Sequence, residues 1–216
     1  MSQIGMALYV GLALHLIFAT TLHQGAADVL STPVPSPPTT TPAHKGPGIP
    51  AQGHYSVKND SGTICLKANM ALQINISFHS ASLNKIVQKV VNLNPNETTT
   101  SGSCDKESAT LILNAGQKTE LSFKFTLNTT SNKYYLNGVS ILAIWSDMTD
   151  QFSDHNDSLD YLRGSLGFSY MCRSEQTLVV SQNSSLNTFL LHVQPFGLSG
   201  DTLDLHWNAC WMKMTW

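Results

Sequence analysis

The sequence predicts an all-β domain, a sandwich or prism of two sheets. Three observations favour this class: apolar and polar residues alternate along several segments, turn residues separate these segments, and no helical pattern lasts three turns. The clearest segment covers residues 63–78, in which every even position is apolar. Because side chains alternate across a strand, one face of this segment is expected in the core and the other in water.

The segment 63–78 is expected at the centre of a half-exposed antiparallel sheet, as one strand or as two joined by a bend or bulge. Cys65 and Asn75 occupy its polar side. A crosslink from Cys65 would therefore tie this strand to something packed over its outer face. Asn75 could carry a glycan on that face, because it heads an N-x-Ser triplet.

The other strands are predicted from shorter patterns in a folded domain that begins near Gly53. Apolar or alternating segments cover residues 54–57, 86–93, 111–113, 119–127, 134–145, 166–172, 177–181 and 186–196. Turn residues lie between them. Residues 148–163 are the most polar and least regular part, and a short helical turn is predicted at residues 159–163.

The first 52 residues are predicted to lie outside the folded domain. An apolar run at residues 4–19 precedes small residues at 25–27, so residues 1–27 are interpreted as a secretory signal peptide. An uncleaved signal anchor is the alternative, although the run is short for a bilayer. Residues 28–52 hold seven of the nine prolines among Ser and Thr. This composition predicts a disordered stalk with O-linked glycans, or an unmodified linker.

The cysteines favour two disulfides and an oxidising compartment. The chain has four cysteines and no paired Cys/His spacing, which argues against a zinc site. Three pairings are possible. Sequential pairing is favoured because the separations are nearly equal: Cys104 follows Cys65 by 39 residues, and Cys210 follows Cys172 by 38. In the chain-entropy model each loop contributes about 4 kcal/mol to the free energy of unfolding.

Six N-x-Ser/Thr triplets predict N-linked glycans over much of the domain. Their acceptor residues are Asn59, Asn75, Asn96, Asn128, Asn156 and Asn183. A few such triplets would arise by chance in a chain rich in Asn, Ser and Thr. Six of them, after a signal peptide, predict a shell of glycans in which several acceptors are occupied.

Charge and motifs argue against several classes of function. Only 12% of residues are charged and the formal net charge is −2, whereas nucleic-acid binding needs clustered Lys and Arg. We predict no catalytic residue, metal ligand or cofactor, because no phosphate loop, H-E-x-x-H or G-x-S-x-G motif is present. The oxygen-rich group Asp154, Asn156, Asp157 and Asp160 lacks the glycine and glutamate of an EF-hand. A solvated loop is therefore favoured over a calcium site.

Six histidines follow the signal peptide, and none shows short metal-ligand spacing. They are His44, His54, His79, His155, His192 and His206. We expect surface or partly buried imidazoles. If all six became protonated in an acidic compartment, the formal net charge would move from −2 toward about +4.

Five segments resemble the luminal domain of the lysosome-associated membrane glycoproteins, in that family's order. They are residues 62–73, 92–96, 101–104, 167–172 and 193–196, and the resemblance covers roughly residues 53–200. It implies a two-sheet β-prism and a non-enzymatic, heavily glycosylated luminal protein of the late endosome and lysosome membrane. It also implies roles in membrane protection, lysosome organisation, fusion and autophagy, with a second copy or other lysosomal membrane proteins as partners.

The resemblance fades after about Thr202. The family continues into a transmembrane helix and a sorting tail, whereas here residues 53–210 are assigned to the luminal domain and residues 211–216 to a short tail. A secreted glycoprotein that binds a protein or glycan ligand is therefore the alternative. Trp207, Trp211 and Trp216 could form its interaction patch, a packed cap, or a segment with no evolved role, and the sequence does not choose among these.

Overall fold

A computed structural model of the chain describes residues 47–116, 118–204 and 207–210, with the backbone alone for residues 207–209. The predicted signal peptide, most of the predicted stalk and the C-terminal tail lie outside the described residues. The strands are, in chain order, β1 (Gln52–Lys58), β2 (Ile64–Ser80), β3 (Lys85–Asn92), β4 (Thr98–Cys104), β5 (Ser108–Ala115), β6 (Thr119–Asn128), β7 (Lys133–Ala143), β8 (Phe152–Asn156), β9 (Tyr161–Ser165), β10 (Ser169–Cys172), β11 (Gln176–Val179), β12 (Ser184–Gln194) and β13 (Trp207–Ala209).

These strands form two sheets. The first sheet has the order β1-β2-β12-β10-β13, with β3 also paired to β2 and β11 also paired to β12. The second has the order β4-β5-β6-β7-β8, with β9 also paired to β7. A 3-10 helix (Pro95–Glu97) connects β3 to β4 and so carries the chain between the sheets. Neighbouring strands are antiparallel except for β10 and β13, and the all-β, two-sheet prediction is confirmed.

The strand β2 is the continuous central strand that the pattern at residues 63–78 predicts. It is 17 residues long, and its even positions from Leu66 to Phe78 are buried. It pairs with β12 along one edge, and with β1 and then β3 along the other edge. Because three strands depend on its register, β2 aligns most of the first sheet.

The core lies between the inner faces of the two sheets. From β6, the predicted inward residues Leu121, Phe123, Phe125 and Leu127 are all buried. They face the buried even positions of β2 within one apolar cluster. Full burial of each such side chain contributes about 1.5–3 kcal/mol, so this cluster is the main source of the fold's stability.

Two irregularities in strand register change which positions face the core. In β7, Tyr134 and Leu136 are buried before the shift, and Val139 is buried after it. In β12 the shift lies beside Leu190, which is 43% exposed and has a φ of 50°. An extra residue in one strand of a pair reverses the alternation beyond it. Strict alternation therefore finds these strands but not the point at which their buried positions change.

Three strands in the second sheet differ from the predictions. The helical turn predicted at residues 159–163 is wrong: β9 begins at Tyr161 and pairs with β7, and Leu159 and Leu162 are buried in the core. The strand β8 lies within residues 148–163, predicted to be irregular. The strand β4 has the polar sequence TTTSGSC and was not predicted. Among the described strands it pairs with β5 alone, and an edge strand with mostly exposed side chains needs no apolar alternation.

The chain contacts the first sheet before β1 begins. The side chain of Gln73 donates to the carbonyl oxygen of Pro47 at 3.3 Å, and Asn92 donates to that of Gly48 at 2.8 Å. Gln73 lies on the outer face of β2 and is only 8% exposed. Residues 47–50, which fall within the predicted stalk, therefore cover part of this outer face.

Substitution of Ile74 and of Ile86 by alanine compares the same side chain at a core position and at a surface position. Ile74 is 1% exposed, so Ile74→Ala is expected to lower the free energy of unfolding by about 2–5 kcal/mol. Ile86 on the neighbouring β3 is 73% exposed, so Ile86→Ala should change the free energy of unfolding by about 0.5 kcal/mol or less. Urea unfolding of the oxidised protein measures both, and equal effects would contradict the inward assignment of Ile74.

Candidate functional site

Both disulfides are present with the sequential pairing. Cys65 is bonded to Cys104 with a Cα–Cα distance of 6.2 Å, and Cys172 to Cys210 with a Cα–Cα distance of 5.1 Å. The first bridge joins β2 in the first sheet to β4 in the second sheet. The second joins the end of β10 to the residue after β13, where the amide of Cys210 also donates to the carbonyl of Met171 at 3.1 Å.

The expected direction of Cys65 is wrong. Opposite Cys65 the register of β1 and β2 shifts: Val57 pairs with Leu66, and Lys58 pairs with Ile64. Cys65 is thus the extra residue of a bulge, and a bulge turns its side chain away from the simple alternation. It packs against the core cluster and is bonded to the facing sheet, not to something over the outer face of β2.

The opposite end of β2 is tied to the second sheet by a hydrogen-bonded carboxylate. The hydroxyl of Ser80, which is fully buried, donates to Asp147 Oδ2 at 2.6 Å. The amide of Ser82 donates to Asp147 Oδ1 at 3.0 Å. The hydroxyl of Ser80, and then the amide of Ser82, lower the pKa of Asp147 below its ordinary value. Sequence reasoning missed this contact because Ser80 and Asp147 are 67 residues apart.

Aromatic side chains support the same junction. The rings of Phe78 in β2 and Trp145 after β7 meet edge to face, with centroids 6.0 Å apart. The ammonium group of Lys89 lies 5.4 Å from the Trp145 ring centre. The indole nitrogen of Trp145 donates to the hydroxyl of Thr119 at 3.0 Å. The second sheet is therefore fixed to β2 by packing as well as by the carboxylate.

Four predicted glycan acceptors are exposed residues in or next to turns. They are Asn59 between β1 and β2, Asn96 in the 3-10 helix, Asn128 at the end of β6, and Asn183 before β12. Asn59 and Asn128 each accept backbone N–H bonds through the side-chain oxygen. No described group accepts a hydrogen bond from either side-chain nitrogen, the atom to which an N-glycan is attached. These turns therefore present that atom for modification.

The other two acceptors are half-buried residues of strands. Asn75 lies in the middle of β2, between Ser185 of β12 and Val90 of β3. Asn156 ends β8, and its side-chain nitrogen donates to the carbonyl oxygen of Val180 at 3.1 Å. Both asparagines are already part of the sheet structure, so a glycan on either of them would contact neighbouring strands.

The oxygen-rich group at residues 154–160 is divided among separate contacts. Asp154 accepts hydrogen bonds from the hydroxyls of Ser181, in the turn between β11 and β12, and of Ser184, the first residue of β12. Asp160 forms an exposed ion pair with Arg163. Among the described residues no group of three or more His, Cys, Asp or Glu side chains is placed to hold a metal ion. Asp154 instead connects β8 to the turn before β12 and to the start of β12, a further contact between the sheets.

The described histidines differ in burial. His54, His79 and His155 are exposed. His192 is half-buried, and its Nε2 lies 2.8 Å from the hydroxyl of the fully buried Ser169. Burial lowers the pKa of His192. It therefore becomes protonated at a lower pH than an ordinary histidine, and an assumption that all the histidines titrate alike overstates the gain of positive charge. His44 and His206 lie outside the described residues.

Two open cavities lie where the sheets meet. One, of about 550 Å³, is lined by the first disulfide and apolar residues that include Leu127, Leu166 and Phe196. The other, of about 430 Å³, lies beside Leu93 and Lys118.

The contribution of Asp147 to stability should depend on pH. Because its pKa is below 3.8, the ionised carboxylate stabilises the fold above that pH, and this contribution is lost as the pH falls through the folded-state pKa. Asp147→Asn is therefore expected to lower the urea midpoint at neutral and mildly acidic pH, with a shrinking difference at pH below 3.8. The control Asp150→Asn changes an exposed aspartate of the same loop and should leave the midpoint almost unchanged. Identical curves for the two variants would contradict this role.

Sequence comparison relates the chain to lysosomal membrane glycoproteins. Residues 37–204 match the family model for the luminal domains of lysosome-associated membrane glycoprotein 2-like proteins. Human lysosome-associated membrane glycoprotein 2 is 41% identical over 174 residues, which cover 80% of this chain and 39% of that protein. Human lysosome-associated membrane glycoprotein 1 is 36% identical over 152 residues, covering 70% of this chain and 36% of that protein. The match thus spans well under half the length of these relatives.

Solved structures show the same fold. The membrane-proximal domain of mouse lysosome-associated membrane protein 1 superposes with a TM-score of 0.69 at 34% identity, covering 74% of this chain and 97% of that domain. Human LAMP-3 superposes with a TM-score of 0.64 at 25% identity, covering 74% and 99%. No catalytic family is indicated, and no described helix is long and apolar enough to cross a bilayer. The chain belongs to the family of lysosome-associated membrane glycoproteins and contains one of its luminal domains.

Proposed function

We propose that this chain is a non-enzymatic glycoprotein of the endolysosomal lumen, and that its N-glycans protect the domain and the limiting membrane from hydrolases. The position of the acceptors carries this proposal. Asn59, Asn96, Asn128 and Asn183 are exposed residues in or beside turns, on both sheets of the domain. Exposed turns are also the places where proteases preferentially cut folded proteins. A glycan on each of these residues would cover the backbone that a protease must reach.

The folded domain adds a second barrier to proteolysis. Cleavage within strands requires local opening, and its rate follows the population of the opened state. The two disulfides hold β2 to β4 and β10 to the segment after β13, so they restrict opening at both sites. Turns open most readily, and the exposed glycan acceptors lie in or next to turns.

We further propose N-linked glycans on the domain and O-linked glycans on the preceding Pro/Ser/Thr segment. A second copy of the chain or other lysosomal membrane proteins are the proposed protein partners. Lysosome organisation, fusion and autophagy are the processes to which such a glycosylated surface would contribute. Membership of the family supports these proposals.

The protective role is tested by proteolysis of the full chain expressed in cells that add N-glycans. Folded protein is treated with an N-glycan-removing amidase or mock-treated, and then digested with lysosomal proteases at acidic pH. We expect the deglycosylated protein to be cut much faster, with new fragment ends close to Asn59, Asn96, Asn128 or Asn183.

Single variants locate the effect. Asn128→Gln should add cleavage near the turn after β6, whereas Asn59→Gln should add it between β1 and β2. Circular dichroism before digestion confirms that each variant is folded. Equal digestion rates for glycosylated and deglycosylated protein would overturn the protective role.

A further inference from the structure

Two of the predicted glycan-acceptor triplets pair with each other in the first sheet. In the ladder between β2 and β12, Asn75 lies opposite Ser185. Two residues along, the amide of Ser77 donates to the carbonyl oxygen of Asn183 at 2.8 Å. Each asparagine therefore lies opposite the serine of the other triplet. The sequence alone does not reveal this arrangement, because the triplets are more than 100 residues apart.

The pairing places both acceptor side chains on one face of the sheet. Asn75 and Ser77 point away from the core, since Ile76 between them is fully buried. Directly opposite residues of paired strands share a face, so Asn183 points the same way. Asn75 and Asn183 are diagonal neighbours, and such neighbours lie roughly 7–8 Å apart. Two bulky N-glycans would have to begin within this distance.

A polar cleft of about 180 Å³ lies between the two acceptors. Asn75 and Asn183 both line it, together with the hydroxyl and amide side chains of Ser77, Gln88, Thr177, Ser181 and Gln182. Hydroxyls and amides can donate to and accept from the hydroxyl groups of a sugar. The cleft is open to solvent and borders both asparagines, so the first sugar residue on either of them would use the same polar surface.

The side-chain oxygen of Asn75 is an unusual feature of this cleft. It is enclosed, and no hydrogen-bond donor among the described residues reaches it. Buried polar atoms in folded proteins are nearly always hydrogen-bonded. A rotation of the Asn75 side chain would turn this oxygen into the cleft, where a hydroxyl or acetamido N–H group of a sugar would supply a donor.

We propose that Asn75 and Asn183 form one shared glycan site. In the folded domain one of them carries an N-glycan whose first sugar residue occupies the cleft, and the other is unmodified. A second glycan would compete for the same cleft and crowd the pairing of β12 with β2. This inference rests on the proposed N-glycosylation of the domain and specifies how many glycans this face carries.

The test counts glycans on folded chains that keep only these two acceptors. Asn59, Asn96, Asn128 and Asn156 are replaced by Gln in the full chain, and protease-resistant protein with both disulfides is analysed by gel mobility before and after glycan removal. We expect one glycan per chain. Adding Asn75→Gln or Asn183→Gln should again leave one glycan, because the remaining acceptor takes over. Two glycans on the folded chain, or none, would overturn the proposal.

Two controls test whether the single glycan is specific to the pair Asn75 and Asn183. A chain that keeps only Asn128 and Asn183 has one acceptor at the end of β6 in the second sheet and one beside β12 in the first, and it should carry two glycans. Ser185→Ala, which removes the second triplet but keeps Asn183, should behave like Asn183→Gln.

Partial deglycosylation of the unaltered chain gives an independent count if the reduced variants do not fold. Its ladder should show at most five N-glycans, at least one of them on the peptide of Asn75 or Asn183. A sixth would overturn the shared site alone. A ladder without any steps would overturn the proposed glycan protection as well.

Discussion

The fold depends on the attachment of β2 to the opposite sheet at both of its ends. Near its start, the bond from Cys65 reaches β4, and at its end Ser80 donates to the Asp147 carboxylate. A further contact, from Asp154 to Ser184 at the start of β12, connects the sheets at the edge strand β8. Between these points the buried residues of β2 and β6 belong to one apolar core. Since β2 also aligns β1, β3 and β12, fixing its position fixes most of the first sheet.

The strands with regular alternation could be predicted from the sequence, because half-buried antiparallel strands impose a period of two. The patterns at residues 63–78 and 119–127 thus predict β2 and β6 with nearly correct bounds. The failures at β4 and β8 share a physical cause: both are edge strands without a fully buried side chain, so no apolar pattern marks them. Register irregularities account for the wrong direction of Cys65 and for the changed alternation in β7 and β12. At Cys65 one extra residue turned the side chain toward the facing sheet, and no local signal in the sequence marks that position.

The candidate site likewise has features that the sequence predicts and features that depend on the sheet register. Glycan acceptors can be recognised from the N-x-Ser/Thr triplets, and the disulfide pairing can be predicted from the nearly equal separations of the cysteines. The contacts of Asp147, and the pairing of Asn75 with Ser185, join residues distant in the chain and depend on the sheet register. Register follows from burial and turn geometry together, and a single sequence does not specify it at every position. The acceptors were therefore predictable as residues, but their spatial relationship was not.

The forces that hold this domain together are suited to an acidic lumen. Only 12% of the chain is charged, and the ion pair between Arg163 and Asp160, found in the described part of the chain, is exposed. Exposed ion pairs contribute little to stability. Disulfides and apolar burial do not titrate, and the carboxylate at the junction of β2 has a lowered pKa and so stays ionised in mild acid. Half-buried His192 destabilises the fold in acid. Because its pKa is lowered in the folded state, the unfolded chain binds a proton more readily. Its contribution to stability therefore falls as the pH drops below about 6.5. His192 is one position of β12, whereas the disulfides and the apolar core extend over both sheets. Most of the stabilising contacts therefore do not depend on pH.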